Sequence, residues 1–185
     1  MKSSDFSAVS TVIKSGGVIA YPTETVWGLG CDPWNKAAVY KLLRIKQRPA
    51  EKGLIIVAAD VLQVAPLLQS LSAAQRRQFC APVEQATTWL IPDEQQWIPA
   101  WVKGAYSTVA VRISQHPIVQ QLCRALDQPI ISTSANVSGQ KTIRTSEEIH
   151  SLFGNKLDMI LQGKTGETQS PSLIVDLISG KIIRS

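Results

Sequence analysis

Ser172-Leu173-Ile174-Val175-Asp176-Leu177-Ile178-Ser179-Gly180-Lys181-Ile182-Ile183-Arg184 decides how the sheet of this protein is built. Two apolar runs, 172–177 and 181–184, flank Ser179-Gly180, a turn-forming pair, so the segment reads as a β-hairpin. The strands of a tight hairpin run antiparallel. The sheet that this hairpin joins is therefore mixed rather than purely parallel.

Upstream, helices and strands alternate. Phe6, Val9, Val12 and Ile13 have helical spacing, and Gly16-Gly17 ends that helix. Val18–Tyr21 follows as a short buried strand. Asp32-Pro33 supplies a cap and a first-turn proline for a second helix. Val39, Leu42 and Leu43 form its inner face, and Pro49 stops it. Leu54–Ala59 is a continuous apolar strand, with helices expected near 61–69 and 72–79. Strands are expected at 87–91 and 107–113. His116-Pro117 opens a helix through Leu126, with Val119, Leu122, Cys123 and Leu126 facing inward. Strands at 129–132 and 159–161 bracket a helix over 145–153. This alternation predicts an α/β fold, a twisted mixed sheet flanked by helices.

The chain has 185 residues, 44% hydrophobic and 18% charged, which excludes a disordered chain and fits one domain spanning 1–185. No secretory leader or long apolar span is legible, so the expected location is the cytoplasm, with no membrane partner. Cys31, Cys80 and Cys123 form no CxxC pair and are read as small core residues. The net charge of +5 and a pI near 9.2 favour polyanionic partners only mildly.

Two chemical readings fail on the residues. Gly163-Lys164-Thr165 resembles the end of a P-loop, but Asp158 stands where the first glycine belongs. The two histidines, His116 and His150, have no serine or cysteine motif nearby and are read as surface residues. A nucleophilic triad and a histidine metal site are therefore not expected, and no metal ligands are assigned.

Four segments carry more chemistry than connecting loops need. Tyr21-Pro22-Thr23-Glu24-Thr25-Val26-Trp27-Gly28-Leu29-Gly30 follows a strand, where open α/β sheets bind ligands. Lys46 and Arg48 gather where Pro49 stops a basic helix, a guanidinium fork beside a mobile ammonium. Ile131-Ser132-Thr133-Ser134-Ala135-Asn136-Val137-Ser138-Gly139 runs from strand into a turn rich in hydroxyls and amides. In Ser107–Ile113, alternation puts Thr108, Ala110 and Arg112 on one side. An arginine in so apolar a strand needs a partner, either a structural acid or a ligand carboxylate.

In this order the segments resemble the YrdC/TsaC family, in its short single-domain branch. The likeness runs from Gly16-Gly17 to Arg184. Its most specific parts are YPTET with Gly28-Leu29-Gly30, the KxR at 46–48, the SxN at 134–136, and Pro171-Ser172 leading into a strand ending Val175-Asp176. The resemblance implies a nucleotidyltransferase that makes threonylcarbamoyl-AMP and pyrophosphate from L-threonine, bicarbonate or CO2, and ATP, with Mg2+ assisting. Transferase-complex proteins of the same pathway would then modify adenosine beside the tRNA anticodon. It also implies a large, positively charged concave face. By the same resemblance, Lys46 and Arg48 are catalytic and contact the triphosphate. Thr108, Ser132, Ser134, Asn136 and Arg184 line the nucleotide site, and Thr25, Arg112 and Ser172 hold threonine. Longer relatives read Asn-Pro-Leu where this chain has Lys52-Gly53-Leu54, and place a histidine near Val57-Ala58, so contacts made there do not carry over.

Two other readings remain open from the sequence. The basic run from Lys36 to Lys52 fits an RNA-binding module for tRNA or double-stranded RNA. A carbamoyl transferase working through carbamoyl-adenylate is the other.

Overall fold

The computed structural model describes residues 3–166 and 171–184. Among these residues, nine strands form one mixed sheet in the order β7-β1-β2-β6-β3-β5-β4-β8-β9. They are β1 Ile19–Pro22, β2 Trp27–Gly30, β3 Ile55–Ala58, β4 Thr87–Pro92, β5 Thr108–Ile113, β6 Ile130–Ser134, β7 Met159–Ile160, β8 Leu173–Asp176 and β9 Ile182–Arg184. The pairs β1–β7, β3–β5 and β4–β8 are parallel, and the other five are antiparallel. The C-terminal hairpin is present as expected, with Ile174 opposite Arg184. Asp176 Oδ1 fixes its turn by accepting from the backbone N–H of Ile178 and Ser179.

Among the described residues, six α-helices flank the sheet: α1 Ser3–Lys14, α2 Lys36–Lys46, α3 Ala73–Cys80, α4 Ala100–Lys103, α5 Pro117–Leu126 and α6 Ser146–Phe153. Side-chain alternation sorts the core onto two faces. On one face, Ile19, Tyr21, Val57 and Ile130 meet Phe6, Val9 and Ile13 of α1 and Val119, Leu122 and Leu126 of α5. On the other, Val18, Ala20, Ile56, Val109, Val111 and Ile131 meet Val39 and Leu42 of α2, Phe79 of α3, and Ile149 and Phe153 of α6. Burying each large aliphatic side chain contributes about 1.5–3 kcal/mol.

Several local expectations change. The cap of α2 is Asn35, whose side chain accepts from Ala38 N; Asp32, three residues earlier, instead accepts from Trp34 N. Trp27–Gly30 is a buried strand rather than part of a loop. Residues 61–68 form a 3-10 segment kinked at Val64, and it contains Pro66, which cannot donate to a regular helix. Residues 100–103 form a short helix that the sequence reading missed. Cys31 and Cys123 are buried, but Cys80 is exposed at the end of α3. His116 is also a correction: it caps α5 and is buried at 8% exposure.

Strand register places the chemistry. Opposed residues share a face, so Gly28 and Ser134, Ser132 and Ile55, and Ile55 and Ala110 lie on one side. Arg112 pairs with Val57 on that same side, as period-two alternation requires. Helices α1 and α5 cover only one end of this face. The site occupies the other end.

Candidate active site

The β1–β2 connection is a tight turn. Thr23 donates its backbone N–H to Val26 O at 3.1 Å and its hydroxyl to the same oxygen at 2.7 Å. Thr25 sits at the tip, two residues before β2. A side chain at 28 would fit tightly: a Cβ there would stand 3.0 Å from Thr23 Cγ2 and 3.6 Å from Ser132 Oγ. The close approach leaves a hollow in front of β2 and β6.

That hollow has a volume of about 400 Å³. Ile55, Gly28, Ser132, Ser134 and Arg112 belong to its sheet face, while Thr25, Arg48, Arg144, Ser172 and Arg184 come from surrounding elements. Among the described residues lining it, none bears a carboxylate. A second hollow of about 260 Å³ adjoins it and shares Arg48, Leu54, Ile55 and Arg184. It is more apolar, with Leu90, Val102, Tyr106, Ile174 and Ile183 around Thr108.

Two residues of the predicted set lie behind this surface. Lys46 is 2% exposed at the last turn of α2. Its ammonium donates to Ser134 O, to Asn136 O at 2.9 Å and to Asn136 Oδ1 at 3.3 Å. Ser134 Oγ donates to the same Oδ1 at 2.6 Å, and Asn136 Nδ2 donates to Gln140 O at 2.7 Å. Ser138 N donates back to Lys46 O at 2.8 Å. Burial, helped by Arg48, lowers the Lys46 pKa to about 8. Neither Lys46 nor Asn136 lines the hollows; together they set the turn that follows β6.

Gln47 takes a left-handed conformation and lets the chain leave α2. Arg48 then donates Nε and Nη2 to Gly53 O at 3.1 and 2.9 Å, and Nη2 to Lys52 O at 3.2 Å. This fork fixes the guanidinium between the two hollows. Burial lowers its pKa. Arg184 donates to Ser172 O at 2.9 Å and Ser172 Oγ at 3.3 Å, which ties β9 to the start of β8. Ser172 Oγ is also 3.0 Å from Thr88 Oγ1. Arg112 finds a structural acid: its Nη2 lies 3.7 Å from Glu24 Oε2.

The structure therefore brings Thr25, Arg48, Arg112, Ser132, Ser134, Ser172 and Arg184 around the first hollow, with Thr108 in the second. Sequence reasoning missed Arg144 and Thr142. Their loop is pinned where Trp27 N donates to Ile143 O and Ile143 N donates to Ala135 O. The available signal was a basic pair, Lys141 and Arg144, directly after the hydroxyl-rich turn.

An open hollow on one sheet face, lined by arginines and hydroxyls beside an apolar recess, defines a site for a small anionic ligand with an apolar group. The comparisons make that class specific. The Sua5/YciO/YrdC family model, described as telomere recombination, matches residues 11–185, and the chain belongs to this family. It is 49% identical over 173 residues to a threonylcarbamoyl-AMP synthase of Pseudomonas aeruginosa, covering 94% of this chain and 92% of that one. It is 50% identical over 181 residues to the synthase of that name from Stenotrophomonas maltophilia, covering 97% and 96%. Among solved structures, P. abyssi Sua5 complexed with L-threonine matches with a TM-score of 0.84 and 28% identity, over 95% of this chain and 52% of that one. E. coli YciO matches with a TM-score of 0.82 and 25% identity, over 99% and 89%.

Proposed function

We propose that this chain is a threonylcarbamoyl-AMP synthase, working as one domain over 1–185. The observation that carries the reading is the gathering of Thr25, Arg48, Arg112, Ser132, Ser134, Ser172 and Arg184 around one hollow. L-threonine lies in this polar hollow, with its carboxylate on Arg112 and with Thr25 and Ser172 alongside. The adenine of ATP enters the apolar hollow past Thr108, and the phosphates lie between Arg48, Arg144 and Arg184.

The threonine amine attacks CO2, supplied as such or from bicarbonate. An N–C bond forms and the amine loses a proton, giving a carbamate. A carbamate oxygen then attacks the α-phosphorus of ATP. The bond from that phosphorus to its bridging oxygen breaks, and pyrophosphate leaves. Two anions must approach each other, so the barrier contains charge repulsion. Preorganised guanidinium groups lower it, and catalysis is mostly positioning and electrostatics.

Among the described residues, no three His, Cys, Asp or Glu side chains come together as a metal site. The residues of the hollow thus offer Mg2+ no ligand set of their own, and an ion accompanying ATP would be held by its phosphate oxygens. Lys46 acts indirectly in this reading, by holding the Ser134–Asn136 turn. The product passes to threonylcarbamoyl transferase proteins that modify tRNA, in the cytoplasm. No helix among the described residues is long and apolar enough to cross a membrane.

The test is pyrophosphate release by the purified chain. It is expected only when ATP, L-threonine and bicarbonate are all present, with threonylcarbamoyl-AMP as the co-product. Release that ignores threonine or bicarbonate would overturn the reading.

A further inference from the structure

Glu24 belongs to the same turn as Thr25 but does not line either hollow. Its side chain is 11% exposed. Oε1 accepts from Ser114 Oγ at 2.6 Å and from Gln115 N at 3.2 Å. Ser114 is fully buried just past the end of β5, where its own N–H donates to Ala58 O at 3.0 Å and its hydroxyl accepts from His116 N at 3.2 Å. One oxygen of Glu24 is thereby locked to the chain just past β5, two residues beyond Arg112.

The other oxygen behaves differently. Oε2 faces Arg112 Nη2 at 3.7 Å, beyond the 2.7–3.2 Å of an N–H···O hydrogen bond. Oε2 and Arg112 Nε are both buried without a hydrogen-bond partner among the described residues. Buried arginine and carboxylate usually close into a short bidentate fork, and buried polar atoms are rarely left unmatched. Here the pair attracts without closing. The guanidinium keeps its charge balanced from behind and retains donors for a second carboxylate in front.

We infer that Glu24 is a positioning residue: it joins the turn bearing Thr25 to the strand bearing Arg112, and holds the guanidinium for a substrate carboxylate that it never touches. The inference rests on the reading of Arg112 as the holder of the threonine carboxylate. Burial alone would push the Glu24 carboxyl up, but Arg112, Ser114 and the backbone outweigh it, and the group is held below its ordinary range. The carboxylate is therefore charged at neutral pH.

The experiment uses the whole chain and follows pyrophosphate release, with ATP binding measured by calorimetry. Glu24→Gln keeps an acceptor for Ser114 and removes the charge behind Arg112. It is expected to raise the KM for threonine about tenfold, with kcat and ATP affinity within about twofold of the parent. In an Arg112→Ala background it should add less than about twofold, because the residue through which it acts is gone. Ser114→Ala, which leaves the charge but removes the shorter of the two hydrogen bonds to Oε1, should raise the threonine KM a few-fold and serves if the glutamine variant does not fold. A threonine KM unchanged in both Glu24→Gln and Ser114→Ala, or a Glu24→Gln effect that multiplies with Arg112→Ala, overturns the positioning role alone. A threonine KM unchanged in Arg112→Ala removes the reading of Arg112, and the inference with it.

Discussion

The Lys46 ammonium spans from the end of α2 to Asn136, donating to its backbone carbonyl at 2.9 Å and to its side-chain oxygen at 3.3 Å. The KxR and SxN segments are thus one structural unit. Replacing Lys46 by Met keeps the volume but leaves the carbonyls of Ser134 and Asn136 without their donor. The expected cost is about 2–4 kcal/mol, from carbonyls losing charged donors in a buried place. Urea unfolding measures it. Turnover should fall with it, and Asn136→Ala should add little in the Lys46→Met background.

The same lysine gives a pH signature. Its pKa is lowered from 10.5 to about 8 in the fold, so from pH 8 to 10.5 the unfolded chain binds more protons. Stability contributed by this group therefore rises with pH across that window. The difference in unfolding free energy between the parent and Lys46→Met should be larger at pH 9.5 than at pH 7. An unchanged difference would mean that the ammonium is not desolvated.

Arg48 tests fork geometry. Its Nε and Nη2 hold Gly53 O and Lys52 O while the guanidinium lies between the two hollows. Lysine has no fork, so Arg48→Lys should not rescue. Both Arg48→Ala and Arg48→Lys are expected to weaken ATP binding by about tenfold or more, read by calorimetry, with folding retained. Full recovery in the lysine variant would reduce the role of Arg48 to charge alone.

Legibility in the sequence follows the range of the interactions. Strands such as 107–113 and the C-terminal hairpin were readable because period-two alternation and turn residues act locally. Trp27–Gly30 was not: its two glycines look like a loop, yet pairing with β1 and β6 makes them strand residues, and close neighbours leave little room for a side chain. His116 reads as a surface residue, since nothing local shows that it is buried beside Ser114, whose hydroxyl accepts from its N–H. Most residues lining the first hollow lie in segments that the sequence singles out, but the place of Lys46 and Asn136 behind that surface was not legible. The burial of Lys46 behind the Ser134–Asn136 turn joins positions about ninety residues apart. Arg144 was invisible for the same reason, because Trp27 and Ala135 bring its loop to the hollow.

Arg144 offers a direct check on that omission. It lines the first hollow together with Arg112 and has no place in a recognised motif. In the proposed reaction it faces the leaving phosphates. Arg144→Ala should lower kcat by about tenfold, while the threonine KM moves less than about twofold. Steady-state pyrophosphate release at saturating ATP reads both values. A variant that raises only the threonine KM would place Arg144 on the amino acid instead.

Gly30 tests the close packing on which the hollow depends. A Cβ at this position would stand 2.4 Å from Ile131 O and 2.8 Å from Tyr21 Cε1, and Ile131 is held there because its N–H donates to Cys31 O at 3.0 Å. A backbone oxygen cannot swing aside as a flexible side chain can. Gly30→Ala should therefore push β2 away from β6, costing about 3 kcal/mol or more, the upper range for overpacking. Gly139 is the control. It has a positive φ of 83° but nothing within 4 Å of the added carbon, so Gly139→Ala carries only the conformational cost, about 1–2 kcal/mol. Thermal unfolding of the two variants should rank them in that order. The reverse order would mean that β2 and β6 can separate freely, and that the hollow in front of them owes nothing to this glycine.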